Sequence, residues 1–129
     1  MYSRAYNIHH MNTLSPFKSA YLRFLQLVSA VEAMPGLEDF DANEKALFDL
    51  LSLAWSQSAP MTVRGAINQS NLGSPATLHK RLKRLIAKDL IETQFEGQDR
   101  RTKYLHVTAK GLAYIEWLSS QMATTVQAV

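Results

Sequence analysis

The sequence predicts a mainly α fold with one small β-hairpin wing, a winged helix-turn-helix, on three observations. Apolar residues recur at helical spacing in segments that open on N-cap signals. Between residues 62 and 89 a short helical segment, a turn and a strongly amphipathic basic helix follow one another directly. That helix is succeeded at once by two β-textured runs around a charged turn.

Taken in order, the first helix is expected from Ser15, an N-cap, with Pro16 at the position where its missing N–H costs nothing, to about Met34. Pro35-Gly36 ends it. Phe17, Ala20, Tyr21, Phe24, Leu27, Val28 and Val31 form its stripe, while Leu22 and Leu25 fall outside. This is more apolar face than one small core needs. Asp41-Ala42-Asn43-Glu44 fits a capping box, in which the Asp accepts from the backbone at Glu44 and the Glu reaches back. The second helix it opens runs to about Trp55, with Leu47, Phe48, Leu50, Leu51 and Ala54 inward, and Ser56 to Pro60 breaks it.

Thr62 caps a short helix through Asn68, with Val63 and Ile67 facing in, and Ser70-Asn71-Leu72-Gly73 is a turn. Ser74-Pro75 repeats the cap of the first helix and opens a segment with Leu78, Leu82, Leu85 and Ile86 on one side. Two helices joined by a short turn make a helix-turn-helix. Residues 91–96 and 102–107 alternate β-branched and aromatic positions about Gly97-Gln98-Asp99-Arg100-Arg101, a hairpin with a charged tip. Thr108 caps the last helix, on which Leu112, Ile115, Leu118, Met122 and Val126 line one face while Tyr114 and Trp117 point elsewhere.

The organisation expected is one domain over residues 1–129. Residues 1–14 form a flexible arm, 15–34 and 109–126 are dimerisation helices, and 42–107 are the winged helix-turn-helix core. The terminal helices, apolar on more than one side, are expected to pair with their symmetry mates in a homodimer through Phe17, Tyr21, Leu22, Leu25, Tyr114, Trp117 and Leu118.

Charge is unevenly spread over the 129 residues, whose net value is +3. Residues 1–58 hold four basic and six acidic groups, whereas residues 59–110 hold ten basic against four acidic. The surplus therefore lies in the helix-turn-helix and hairpin, where an anionic partner would dock. On the helix after Ser74, the side opposite the leucines carries Ala76, Thr77, Lys80, Lys83 and Arg84, with Arg81 and Lys88 nearer the edge and His79 close by. Small and polar residues in the first turn can approach base edges in a major groove, and the Lys and Arg beyond them can meet phosphates. The helix N-terminus adds its own positive end near Ser74 and Thr77. Arg100, Arg101 and Lys103 supply a second cationic element on the wing.

Other classes fit less well. The absence of Cys excludes disulfides, thiolate metal sites, Cys nucleophiles and a thiol redox sensor. Residues 1–10 lack the unbroken apolar run of a secretory peptide, and no apolar run reaches the ~18 residues that span a bilayer. The chain is expected in the cytoplasm, with no membrane partner. There is no Gly-rich phosphate loop, nucleophile elbow, metal-ligand spacing or paired carboxylate, so neither an enzyme, a cofactor nor a metal is expected. The adjacent His9 and His10 would need a third ligand to hold an ion. The competing reading is a winged helix that contacts an acidic protein as an adaptor or antirepressor; a plasmid, phage or nucleoid factor is a further variant of DNA binding.

The stretch from Met61 to Gly111 resembles the winged helix-turn-helix core of the MarR family of bacterial regulators. Ser74-Pro75-Ala76-Thr77-Leu78, Leu85-Ile86-Ala87-Lys88-Asp89-Leu90-Ile91, and Asp99-Arg100-Arg101 through Val107-Thr108-Ala109-Lys110-Gly111 carry the likeness. The last is similar to the family's wing-tip Asp-x-Arg and "Leu-Thr-x-x-Gly" helix start, with Val107 in place of Leu. Asp89 stands where the family commonly has Gly. The resemblance implies a dimeric, sequence-specific regulator of transcription, most often a repressor, that binds double-stranded DNA. It implies that Asp99 orients Arg101 and that Arg101 enters the minor groove, reading width and potential. It also allows a small-molecule effector of unknown chemistry. Trp55, Tyr21, Phe24, Arg23, His9 and His10 are candidates for such a pocket, although aromatics at helical spacing are more often core.

Overall fold

The computed structural model describes residues 16–31 and 39–127. Along the chain these form α1 (Pro16–Val31), α2 (Ala42–Ser56), α3 (Val63–Ile67), α4 (Pro75–Ala87), β1 (Ile91–Glu96), β2 (Asp99–Val107) and α5 (Ala109–Gln127). The mainly α class with a single hairpin is as expected. The arm, Ser15, residues 32–34 and the side chain of Phe17 lie outside the described residues. Two compact units divide the chain, one made by α1 with α5 from Trp117 onward and the other by residues 39–116.

In the first unit Leu27 is buried, but Tyr21, Leu22, Phe24 and Leu25 are all exposed, Tyr21 at 61%. Apolar side chains therefore emerge on several sides of α1, both inside and outside the predicted stripe. Met122 of α5 is exposed as well.

The second unit is built on the predicted caps. Asp41 Oδ1 accepts from the Glu44 N–H at 2.8 Å, Thr62 Oγ1 from Gly65 N–H at 2.9 Å, and Ser74 Oγ from Thr77 N–H at 3.2 Å. Each satisfies a backbone donor that has no intrahelical partner. Leu47, Phe48 and Leu51 of α2 meet Leu78, Leu82 and Leu85 of α4 in the core, joined by Ala66, Leu90, Ile91, Leu105 and Val107. Full burial of such a side chain contributes ~1.5–3 kcal/mol, so the three α4 leucines fix which face of that helix looks outward. Ile86, expected with them, is exposed, because 78, 82 and 85 already saturate the inward stripe.

β1 and β2 pair antiparallel with Ile91 opposite Val107, Thr93 opposite Leu105 and Phe95 opposite Lys103. The turn is tighter than the five residues expected: only Gly97 and Gln98 lie outside the strands, and Asp99, Arg100 and Arg101 belong to β2. Gly97 takes φ +58° with nothing within 4 Å of where a Cβ would stand, so backbone conformation rather than crowding asks for glycine there. A third short segment joins the sheet. Thr62 bridges to Tyr104, and Leu105 N–H donates to the Met61 carbonyl at 2.8 Å.

Three further expectations are corrected in this unit. Tyr114, assigned to the dimer surface, is 2% exposed and packs edge-on against Phe40 and Phe48, with ring centroids 5.7 and 5.6 Å away. Leu112, assigned to the inner face of α5, is instead exposed. The cause is Gly111, which brings the α5 backbone so close to Leu90 that a Cβ would lie 2.4 Å from its carbonyl oxygen. The face containing Gly111 therefore turns inward, and Tyr114, three residues on, follows it. Glu44, expected to close the capping box, points into the protein and pairs with Lys88. Arg84 Nη1 stands 3.7 Å from the same carboxylate.

α4 ends in a Schellman arrangement. Leu90 N–H reaches the Leu85 carbonyl and Asp89 N–H the Ile86 carbonyl, both at 3.0 Å, with Asp89 at φ +60°. A left-handed residue at this position explains why glycine suits it.

Candidate nucleic-acid interface

With its leucines buried, α4 presents Ala76, His79, Lys80, Lys83 and Arg84 to solvent. The first turn is held by hydroxyls: Ser74 Oγ accepts from Thr77 N–H and donates to Thr77 Oγ1 at 2.9 Å. Ser74 is exposed and Thr77 half-buried, so the outward groups nearest the helix start are Ala76, His79 and Lys80. Among the described residues, no carboxylate lies within ion-pair distance of Lys80 or Lys83, and both remain available to an anion.

Two members of the predicted set are engaged within the fold. Arg81 Nη1 donates to the Leu72 carbonyl at 2.8 Å, tying the turn before α4 to the helix itself. Its charge still contributes to the local field, but this fork is committed to the turn. Arg84 shares the Glu44 carboxylate, although its side chain remains 61% exposed.

The wing carries the remaining cations. Asp99 Oδ1 accepts from the Arg101 backbone N–H at 2.8 Å and lies 3.9 Å from Arg101 Nε. That backbone donor holds the Asp99 carboxyl below the ordinary carboxylate range. The contact orders the backbone at Arg101 while the guanidinium stays 96% exposed, free to reach beyond the protein surface. Arg100 stacks over Phe95, 5.6 Å from its centroid, which draws it toward the wing's own surface. Lys103 is exposed on β2.

Arg64 is absent from the sequence-derived set. It sits on α3, exposed, and lines a groove of about 670 Å³ together with Arg101 and Lys103. Its only sequence signal is a cation two residues after the Thr62 cap, which is too common to single it out. Of the predicted dimer residues, Tyr21, Leu22 and Leu25 are exposed on α1, and Trp117 and Leu118 are half-buried on α5. Trp55 is half-buried at the end of α2. No group of three or more His, Asp or Glu among the described residues is placed to hold a metal ion, and no described helix is long and apolar enough to cross a membrane.

No protein-family model and no curated protein matches the sequence. Solved structures do share its fold. MepR of S. aureus, in its complex with DNA, is 21% identical over 85% of this chain and 88% of its own, with a TM-score of 0.56. The transcriptional regulator Tm0710 from Thermotoga maritima is 23% identical over 88% of this chain and 77% of its own, also at 0.56. The transcriptional regulator PA4135 is 21% identical over 81% and 79%, at 0.50.

Proposed function

From a MarR-like winged-helix fold, we propose that this protein is a sequence-specific regulator of transcription that binds double-stranded DNA as a homodimer. The observation that carries the reading is the division of α4, with Leu78, Leu82 and Leu85 buried on one side and Lys80 and Lys83 exposed on the other, beside a wing bearing Arg101. A helix so anchored can enter a major groove without disturbing the core. Ala76 and His79 then face base edges, Lys80, Lys83 and Arg84 meet phosphates, and Arg101 reaches the adjacent minor groove. Likeness to MepR, solved in complex with DNA, supports the choice of partner.

Dimerisation is proposed through α1 and α5. Tyr21, Leu22, Phe24 and Leu25 expose a run of apolar surface that a second copy would cover. Two-fold symmetry would set the recognition helices about one DNA turn apart, ~34 Å, on a pseudo-palindromic site. A dimer covering such a site would repress by occlusion, in the cytoplasm. Any small-molecule effector would act by altering the spacing of the two helices.

The test is titration of the protein against a fluorescent duplex library at two salt concentrations, with its solution mass measured in parallel. Contact with several phosphates gives a slope of log K on log salt of about −0.9 for each. Selection of palindromic duplexes by a dimer, with a slope equivalent to ~6–10 phosphates, is the expected result. Lys80→Ala and Arg101→Ala should weaken binding without shifting thermal stability. Failure to bind duplex at low salt overturns the reading and favours contact with an acidic protein.

A further inference from the structure

We infer that Arg64 is an additional DNA-backbone contact: with Arg101 and Lys103 it seats one phosphodiester in the groove between α3 and the wing. This rests on the DNA-binding reading above and extends it to a residue and a helix outside the recognition helix.

Three cations, Arg64, Arg101 and Lys103, converge on the groove, and among the described residues that line it there is no carboxylate. Asp99, beside Arg101 at 3.9 Å, offsets only part of this charge, so three cations face one carboxylate and the grouping becomes more favourable when an anion occupies it. Val63 and Ile67, four residues apart on α3, are half-buried and supply an apolar floor, while Thr62 and Thr102 add hydroxyls at the sides. A phosphodiester offers both surfaces, anionic oxygens for the cations and sugar edges for the floor. Guanidinium groups suit it well because their fork matches the oxygen geometry.

The walls are tied together. Thr62 bridges to Tyr104, and the Leu105 N–H donates to the Met61 carbonyl at 2.8 Å, so the start of α3 and the middle of β2 belong to one sheet. Binding there orders little beyond the side chains themselves. The groove is also open rather than enclosed, with Arg64 and Arg101 both exposed, which suits a polymer passing through better than a molecule to be engulfed. α3 packs on α4, the helix proposed to enter the major groove, and on β2. A strand leaving that groove toward the wing would cross this opening.

The experiment compares the full-length protein with Arg64→Ala and Arg64→Lys on a duplex that the wild type selects, measuring affinity across a salt series and ethylation interference on each strand. Arg64→Ala is expected to bind several-fold more weakly, to lose about one unit of salt slope for each Arg64 contact, and to abolish interference at one phosphate flanking the major-groove contacts. Arg64→Lys should restore most of the slope. Melting curves should coincide, because Arg64 is exposed. If Lys80→Ala weakens binding but Arg64→Ala leaves affinity, slope and interference unchanged, the inference is overturned and the DNA-binding reading stands. If the wild type binds no duplex at low salt, both fall together.

Discussion

Removing the ammonium of Lys88 should cost this protein more stability than any surface substitution. Glu44 is 2% exposed and Lys88 13%, and the pair joins α2 to the end of α4. Lys88 Nζ also donates to the Asp39 carbonyl at 2.8 Å and lies 5.6 Å from the centre of the Phe40 ring. Lys88→Met preserves the aliphatic stem and deletes the charge, leaving a carboxylate deep in the protein. Loss of one partner from a buried pair destabilises by ~3–5 kcal/mol. Arg84, 3.7 Å from the same carboxylate but largely solvated, compensates in part, which places the expected loss near the lower end, ~3 kcal/mol. Chemical denaturation should register it directly, and heating should show a fall in Tm on the order of 10–15 °C. Glu44→Gln should cost less, ~1–2 kcal/mol, because the freed ammonium keeps the Asp39 carbonyl and can turn toward water. In the double variant Glu44→Leu with Lys88→Met no buried charge remains, so stability should return to within ~1 kcal/mol of wild type. A Lys88→Met protein as stable as wild type, or a double variant no better than the single one, would refute the reasoning.

Gly111→Ala would set a methyl group 2.4 Å from the Leu90 carbonyl oxygen and 2.8 Å from Val107 Cγ1, and backbone cannot step aside as a side chain can. A loss of ~3 kcal/mol is expected by denaturant titration, and an unchanged midpoint would contradict this packing. Asp89→Gly should raise stability by about 1 kcal/mol, since φ +60° strains an L residue and a carboxylate opposes the negative end of α4. A gain in Tm for Gly, with a loss for Val, separates this from a surface-charge effect. Burial pushes the Tyr114 hydroxyl up to about 12, aided by the Asp49 charge, and the oxygen has no hydrogen-bond partner among the described residues. The unfolded phenol loses its proton near 10 while the folded one holds it, so folding stability should decline between pH 10 and 12. Tyr114→Phe should be at least as stable at neutral pH and should lack that share of the decline.

Much of the fold could be read from local chemistry because its signals act over a single turn. Asp41, Thr62 and Ser74 cap as expected because a side-chain oxygen needs only an N–H three residues on. The α4 leucines and the outward cations follow from 3.6-residue periodicity, and Gly97 marks the wing's turn. What local chemistry does not encode depends on contacts distant in sequence. The capping-box pattern at Glu44 is overridden by Lys88, 44 residues away. Tyr114 is surplus to the α5 stripe by periodicity alone, and the close approach of Gly111 to Leu90 turns it inward. Arg81 carries the same charge as Lys80, but its reach to the Leu72 carbonyl is invisible without the turn's geometry. Arg64 enters a cationic groove only because Thr62 bridges to Tyr104 across the chain.

The short stretch from Lys88 to Leu90 then has a consequence for recognition. Its three carbonyls accept bonds from the region that follows the wing: Lys88 from Lys110 Nζ at 3.0 Å, Asp89 from Thr108 Oγ1 at 2.5 Å, and Leu90 from the Thr108 N–H at 3.2 Å. Thr108 Oγ1 in turn accepts from the Gly111 N–H at 2.9 Å. The end of α4, the two feet of the hairpin and the start of α5 thus share one strip of backbone, closed by hydrogen bonds of which the one from Gly111 to Thr108 is buried. The angle between α4 and the wing is consequently set at this junction rather than at the exposed tip, where the Asp99 to Arg101 pair is too solvated to hold a strand in place. If the protein binds DNA as proposed, substitutions at Thr108 or Gly111 should therefore misplace Arg101 relative to Lys80 and weaken that binding although both residues are buried, whereas changes at Gln98 should leave that angle intact.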